Sequence, residues 1–205
     1  QAEGLTWIHP FDDPLIMAGQ GTAALEMLED QPDIDTLVVP IGGGGLISGM
    51  ATAAKAHNRF MRVIGVEASM YAGMRARLEG REPMTGGASI AEGIAVKDVG
   101  DLTERVVREL VDDVVIVEEA HIERAITLLV DVEKTVAEGA GAAGLAALLA
   151  HPQKYTGRKV GLILCGGNID TRLLSSVLTR SLVREKRISN IRIIGDDTPG
   201  LLALV

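Results

Sequence analysis

"VVPIGGGGLISGM", residues 38–50, sets four consecutive glycines between two apolar stretches of different texture. Before them, the β-branched run "TLVVPI" at 36–41 has the near-continuous apolar character of a strand covered on both faces of a sheet. After them, "LISGMATAAKAHN" carries small side chains on most turns, which suits a helix packed closely on that sheet and stopped at Asn58. Glycine inside regular structure costs about 0.5–1 kcal/mol against alanine, so a run this dense marks a place where side chains would be in the way.

A strand, then glycines, then a helix start presents free backbone N–H groups at the positive end of a helix dipole. The amides of Gly42, Gly43, Gly44 and Gly45 therefore suit close approach by a phosphate. A tight turn without a ligand is the plainer alternative, but it needs fewer glycines. Loops that hydrolyse nucleotides follow the last glycine with a lysine and a hydroxyl residue; Leu46 and Ile47 stand here, so ATP or GTP chemistry is unsupported. The dinucleotide spacing G-x-G-x-x-G does occur, at Gly139-Ala140-Gly141-Ala142-Ala143-Gly144. A helical segment precedes it and "GLIL" lies where an acid is expected, so it reads as a close-packed helix start.

Strand-like and helix-like segments alternate along the chain. "RVIGVEA" at 62–68, "VVIVEE" at 114–119 and "KVGLILCGG" at 159–167 read as buried strands. "GTAALEMLE" at 21–29, "DLTERVVREL" at 101–110, "HIERAITLLVDVEK" and "GAAGLAALLA" read as helices, with Asp101 and Glu104 placed as a capping pair. The alternation predicts an α/β fold of right-handed βαβ units, a parallel sheet covered by helices. The charged stretch "REKRISN" at 184–190 reads as a linker, after which "IRIIGDDTPGLLALV" restarts with a strand and a turn. Residues 1–184 then form the main domain, and 185–205 the linker and the beginning of a second, small one.

A net charge of −8 with no basic cluster removes the attraction that holds proteins on nucleic acid or anionic lipid. No stretch approaches the roughly 20 apolar residues of a membrane span. The single cysteine, Cys165, allows no internal disulfide, and His9, His57, His121 and His151 lack metal-ligand spacing, which together fit a reducing cytoplasm. The chain opens on Gln1 without methionine or a signal region and ends in mid-pattern at "LLALV", so it is expected to be part of a longer protein.

"HPFDDPLIMAGQGTAALEML", "VVPIGGGGLISG", "GVEA", "IAEGIAV", "VAEGAGAAG" and "LCGGNID", in this order and spacing, resemble the threonine dehydratase family over essentially the whole chain. These are pyridoxal-phosphate (PLP) enzymes of fold type II, the tryptophan-synthase-β-like fold. The closing "DDTPGLLALV" looks like the opening of an ACT-like regulatory domain. The resemblance implies that Gly42, Gly43, Gly44, Gly45 and Leu46 cradle the cofactor phosphate, and that Cys165 faces the pyridine nitrogen, where relatives commonly have serine. A neutral thiol is a weak donor and would leave that nitrogen largely unprotonated.

By the same resemblance Phe11 lines the pocket, a core phenylalanine being the alternative, and Glu92 and Glu138 approach it, an exposed or capping glutamate being the alternative for both. Asn168, beside Gly166-Gly167, shapes a turn near the site. Glu67 stands where relatives carry a cation-binding acid, but Gly73 occupies the place of a second acid found in some of them. That weakens a divalent metal and leaves a monovalent cation held by carbonyl oxygens. The family's Schiff-base lysine motif (Ser-Phe-Lys type) and substrate-carboxylate loop (Ser-Gly-Asn-His type) do not occur here and are expected upstream of Gln1. In the intact protein the implied reaction is dehydration and deamination of L-threonine to 2-oxobutanoate and ammonia, with L-serine also accepted. The 205 residues alone are expected to be inactive. A serine dehydratase or serine racemase of the same fold is the near alternative, and a non-enzymatic amino-acid sensor the distant one. The resemblance also implies a homo-oligomer, dimer or tetramer.

Overall fold

The computed structural model describes residues 4–83, 86–189 and 191. Its centre is a four-stranded, wholly parallel sheet of order β3-β2-β1-β4, with β1 Thr36–Pro40, β2 Arg62–Ala68, β3 Asp113–Val117 and β4 Val160–Leu162. All five residues of β1 are buried, as its unbroken apolar run requires. Alternate residues feed opposite layers. Val38, Ile64, Val66, Val115 and Val117 pack with Ile122 and Ile126 of α5 (Glu119–Leu128), Ala143 and Ala147 of α6 (Gly139–Ala150), and Val177 of α7 (Thr171–Arg184). Leu37, Val39, Val63 and Val114 face the other way, onto α1 (Pro14–Asp30), α2 (Gly45–His57), α3 (Gly73–Leu78) and α4 (Asp101–Leu110). Each such aliphatic side chain contributes about 1.5–3 kcal/mol by leaving water.

The helix ends have identifiable causes. Asp13 accepts from the N–H groups of Leu15 and Ile16 while Pro14 opens α1. Asn58 caps α2, as expected. Asp170 accepts from Arg172 and Leu173 at the start of α7. That helix is tied to α5 by the nearly buried Glu123, which pairs with Arg180 at 2.7 Å and with Arg184. Beyond α5 the chain runs into a π-helical turn, Leu129–Glu133, that ends at Lys134 in the left-handed region.

Three expectations change. The last strand is shorter than "KVGLILCGG" suggests, since pairing with β1 stops at Leu162 and residues 163–168 run on without a ladder. α3 and α7 were not anticipated, the six residues of α3 being too few for a periodic signal. Asp101 and Glu104 do not cap α4 as a pair: its cap residue is Gly100, and both acids turn outward to Arg77 at 2.8 Å, Glu104 also to Arg108 at 2.6 Å. The cap is supplied from far away in sequence. Asp12 accepts from Asp101 N at 3.1 Å, Leu102 N at 2.9 Å and Thr103 N at 3.0 Å.

The G-x-G-x-x-G segment behaves as the close-packed helix start it was read to be, with α6 beginning at Gly139 and Gly141 lying against the Gly166 carbonyl. Among the described residues no helix is long and apolar enough to cross a membrane. The expected linker and small-domain start at 185–205 falls outside the described residues, apart from 185–189 and 191.

Asp12→Ala removes the acceptor for three N–H groups of α4 and is expected to cost about 1–2 kcal/mol. Asp12→Asn, which keeps an acceptor oxygen, costs less. Urea denaturation checks this as a lower midpoint with an unchanged slope; an unchanged midpoint for the alanine variant would contradict it.

Candidate active site

From β1 the chain passes outward to β2 and β3, then returns to place β4 on the other side of β1. Ligands of open parallel sheets bind beyond the carboxyl ends of strands at such a reversal. Gly42–Gly45 follow β1 and Cys165 follows β4, so the two stand on either side of this point. Between them lies a cavity of about 330 Å³, walled by Phe11, Gly42–Gly45, Leu46, Gly93, Ile94, Val96, Glu138 and Cys165.

Among the described residues no group accepts a hydrogen bond from the amides of Gly42, Gly43, Gly44 or Gly45. Two of the loop's carbonyls are engaged instead. Gly43 O accepts from Gly100 N at 3.2 Å and Thr103 Oγ1 at 2.7 Å, and Gly44 O from Ser48 N at 3.0 Å. Gly44 has φ 97°, a backbone that L side chains rarely adopt. A Cβ on Gly43 would overlap the Phe11 ring, so the aromatic lies directly on the loop. The turn carrying Phe11 is braced by His9, whose Nδ1 accepts from Asp12 N at 2.8 Å and whose ring meets Phe11 edge-on, centroids 4.6 Å apart.

On the opposite side, Cys165 Sγ lies 3.9 Å from Ala140 O. Desolvation pushes the thiol above its ordinary pKa, and the charge of Glu138 adds to the shift. The Glu138 backbone N–H donates to Gly166 O at 3.1 Å, and its carboxylate fills the space beside Gly93 and Gly166.

The remaining residues named from the sequence lie elsewhere. Glu92 and Asn168 do not line this cavity; with Ile90, Ile169 and Leu173 they surround a separate small one, about 60 Å³, whose shared wall is Glu138. Glu67 is fully buried and lines neither. Its oxygens accept from Met74 N at 2.7 Å and Arg75 N at 2.9 Å, so it holds the start of α3, and burial raises its pKa to about 7. Among the described residues no cluster of three or more His, Cys, Asp or Glu has the arrangement of a metal site. No lysine lines the main cavity among the described residues.

Sequence reasoning missed Asp12, Thr103 and the wall formed by Ile94 and Val96. Asp12 lay inside a quoted motif with no role assigned. Thr103 acts on a residue 60 positions away, and no local pattern announces that.

A parallel sheet with a bare glycine loop after one strand and Cys165 after its neighbour defines the class: an α/β protein with a cavity at the carboxyl ends of its strands. The chain belongs to the pyridoxal-phosphate dependent enzyme family, whose pattern matches residues 1–166. It is 45% identical over 201 residues to the L-threonine ammonia-lyase of Thermotoga maritima, covering 97% of this chain and 50% of that protein. The processed form of threonine deaminase isoform 2 from Solanum lycopersicum superposes with a TM-score of 0.81 at 35% identity, over 87% of this chain and 53% of that one. Maize serine racemase does so with a TM-score of 0.76 at 38% identity, over 85% and 56%. The chain thus spans about half the length of the curated relatives it matches.

Because partial desolvation at the cavity wall and the charge of Glu138 disfavour the thiolate of the solvent-exposed Cys165, its alkylation is expected to accelerate with a pH midpoint above the ordinary thiol value of about 8.5. Glu138→Gln should move the midpoint down. Mass spectrometry of the Cys165 peptide after pulse labelling reads it directly, and a midpoint at or below the ordinary value would contradict the assigned environment.

Proposed function

We propose that the intact protein is a PLP-dependent ammonia-lyase that eliminates water from L-threonine, and from L-serine, to give a 2-oxo acid and ammonia. The observation that carries this reading is the set of glycine amides with no acceptor among the described residues, across one cavity from Cys165. The pocket fits the cofactor by its own chemistry. Its volume suits a small ligand (about 300–1,000 Å³ is usual), and its bare amides at a helix N-terminus suit a phosphate dianion. When bound, PLP supplies the electron sink that lets an amino acid lose its Cα proton.

The chain's own residues then have distinct tasks. The amides of Gly42–Gly45, with Leu46, hold the phosphate, and Phe11 covers the loop and excludes water. Cys165 would face the ring nitrogen; a thiol that stays protonated is a weak, neutral partner and, unlike a carboxylate, would not hold a proton there. Glu138 is the one carboxylate among the described residues that lines the cavity, and its charge adds to the upward push that desolvation gives that thiol. Among the described residues no lysine lines the cavity, so none of them is assigned as the base that would take the Cα proton. A cation near Glu67 finds little support, since both its oxygens already accept from α3. We read residues 185–205 as a linker and the start of an ACT-like domain, and the whole as a cytoplasmic homo-oligomer.

Serine racemization is the second reading, favoured by the likeness to maize serine racemase at 38% identity. Steady-state assays of the full-length protein separate the two. Release of 2-oxobutanoate from L-threonine without interconversion of serine enantiomers is expected; rapid formation of D-serine with no ammonia release would overturn the proposal. Gly43→Ala, which drives a methyl group into Phe11, is expected to lower PLP retention at least about tenfold, a loss of roughly 1.4 kcal/mol, measured by equilibrium dialysis.

A further inference from the structure

We propose that Thr103 is a positioning residue of the glycine loop. By donating to the Gly43 carbonyl it fixes the Gly43–Gly44 peptide with its N–H toward the cavity, and so sets affinity for the phosphate group of the ligand. The inference rests on the PLP reading above and deepens it.

Thr103 is fully buried in the first turn of α4, and its Oγ1 lies 2.7 Å from Gly43 O. The same hydroxyl is 3.1 Å from Gly100 O, the local partner an early helical threonine commonly takes, but its one proton serves the shorter contact. With Gly100 N at 3.2 Å, both lone pairs of the Gly43 carbonyl are then satisfied on the α4 side. In a trans peptide the N–H points opposite to the C=O. No peptide bond of the described residues is cis, so anchoring Gly43 O to α4 turns Gly44 N–H away from that helix, toward the cavity that Gly44 lines.

The surroundings make this arrangement stiff. A Cβ on Gly44 would stand 2.8 Å from Thr103 Oγ1, so loop and side chain already touch. The buried Ser48, on the helix that follows the loop, donates to Thr103 O at 3.4 Å. Asp12 takes the N–H of Thr103, which caps α4 from outside and leaves the hydroxyl free for Gly43. The neighbouring Phe11 lies on the other face of the loop. The loop is thus held from both sides, by Phe11, which also walls the cavity, and by Thr103, Ser48 and Asp12, which do not line it.

The test uses the full-length apoprotein titrated with PLP and, separately, with pyridoxal, which lacks the phosphate. Thr103→Val removes the hydroxyl at nearly constant shape and is expected to weaken PLP binding about three- to tenfold, the worth of one buried hydrogen bond. Pyridoxal binding stays at the wild-type value, and Thr103→Ser, which keeps the hydroxyl, restores PLP binding. If the valine variant does not fold, Thr103→Cys, with only a weak S–H donor, shows the same phosphate-selective loss. Wild-type PLP affinity in the valine variant, or equal loss for PLP and pyridoxal, overturns the inference and leaves the PLP reading standing. Failure of the wild-type protein to take up PLP overturns both.

Discussion

The carbonyl of Gly43 points at the first turn of α4, where Gly100 N and Thr103 Oγ1 satisfy it. That orientation is the constraint on which the pocket depends, because a buried carbonyl left without partners costs about 1–3 kcal/mol. If it turned to the cavity instead, oxygen lone pairs would meet an incoming anion where N–H groups now stand. Gly44 tolerates the required positive φ, and Gly43 leaves the space that Phe11 occupies. Much of the 9–13 segment and the start of α4 can be understood as scaffolding for this peptide.

Topology explains why the site lies where it does. The sheet reverses its winding between β1 and β4, so the turns after these two strands diverge and leave a gap that no crossover helix fills. The glycine loop closes one side of the gap and residues 163–168 the other. The third wall, Gly93–Val96, comes from the long connection between β2 and β3. Its approach is held by Glu119 at the start of α5, which accepts from Ser89 Oγ at 2.7 Å and Ile90 N at 2.9 Å.

The strands and most of the larger helices were legible in the sequence because each carries its own signal, but the fourteen residues of α7 were not read as a helix. β1 is an unbroken apolar run, α2 is bounded by glycine and Asn58, and the glycines mark the loop between them. Cys165 lines the same cavity as the glycine loop; the sequence set it at the end of a strand-like stretch, and the family resemblance alone suggested its role. What could not be read were contacts across long separations. Asp12 reaches α4 from 89 or more residues away, and Glu123 bonds arginines 57 and 61 positions on. Local capping chemistry pointed to Asp101 and Glu104, and tertiary structure overrode it. Glu92 and Asn168 sit in motifs adjoining the site, but the backbone carries them into a neighbouring crevice.

The chain belongs to the pyridoxal-phosphate dependent enzyme family, and the proposal made for it is that main-chain amides and not cationic side chains receive the phosphate. An experimental electron-density map of the full-length protein with PLP bound tests this most directly. The account predicts phosphate oxygens about 2.7–3.2 Å from the amide nitrogens of the 42–45 loop, with the ring nitrogen toward Cys165. A phosphate bound to lysine or arginine side chains elsewhere, with those amides bonded to protein carbonyls, would contradict it.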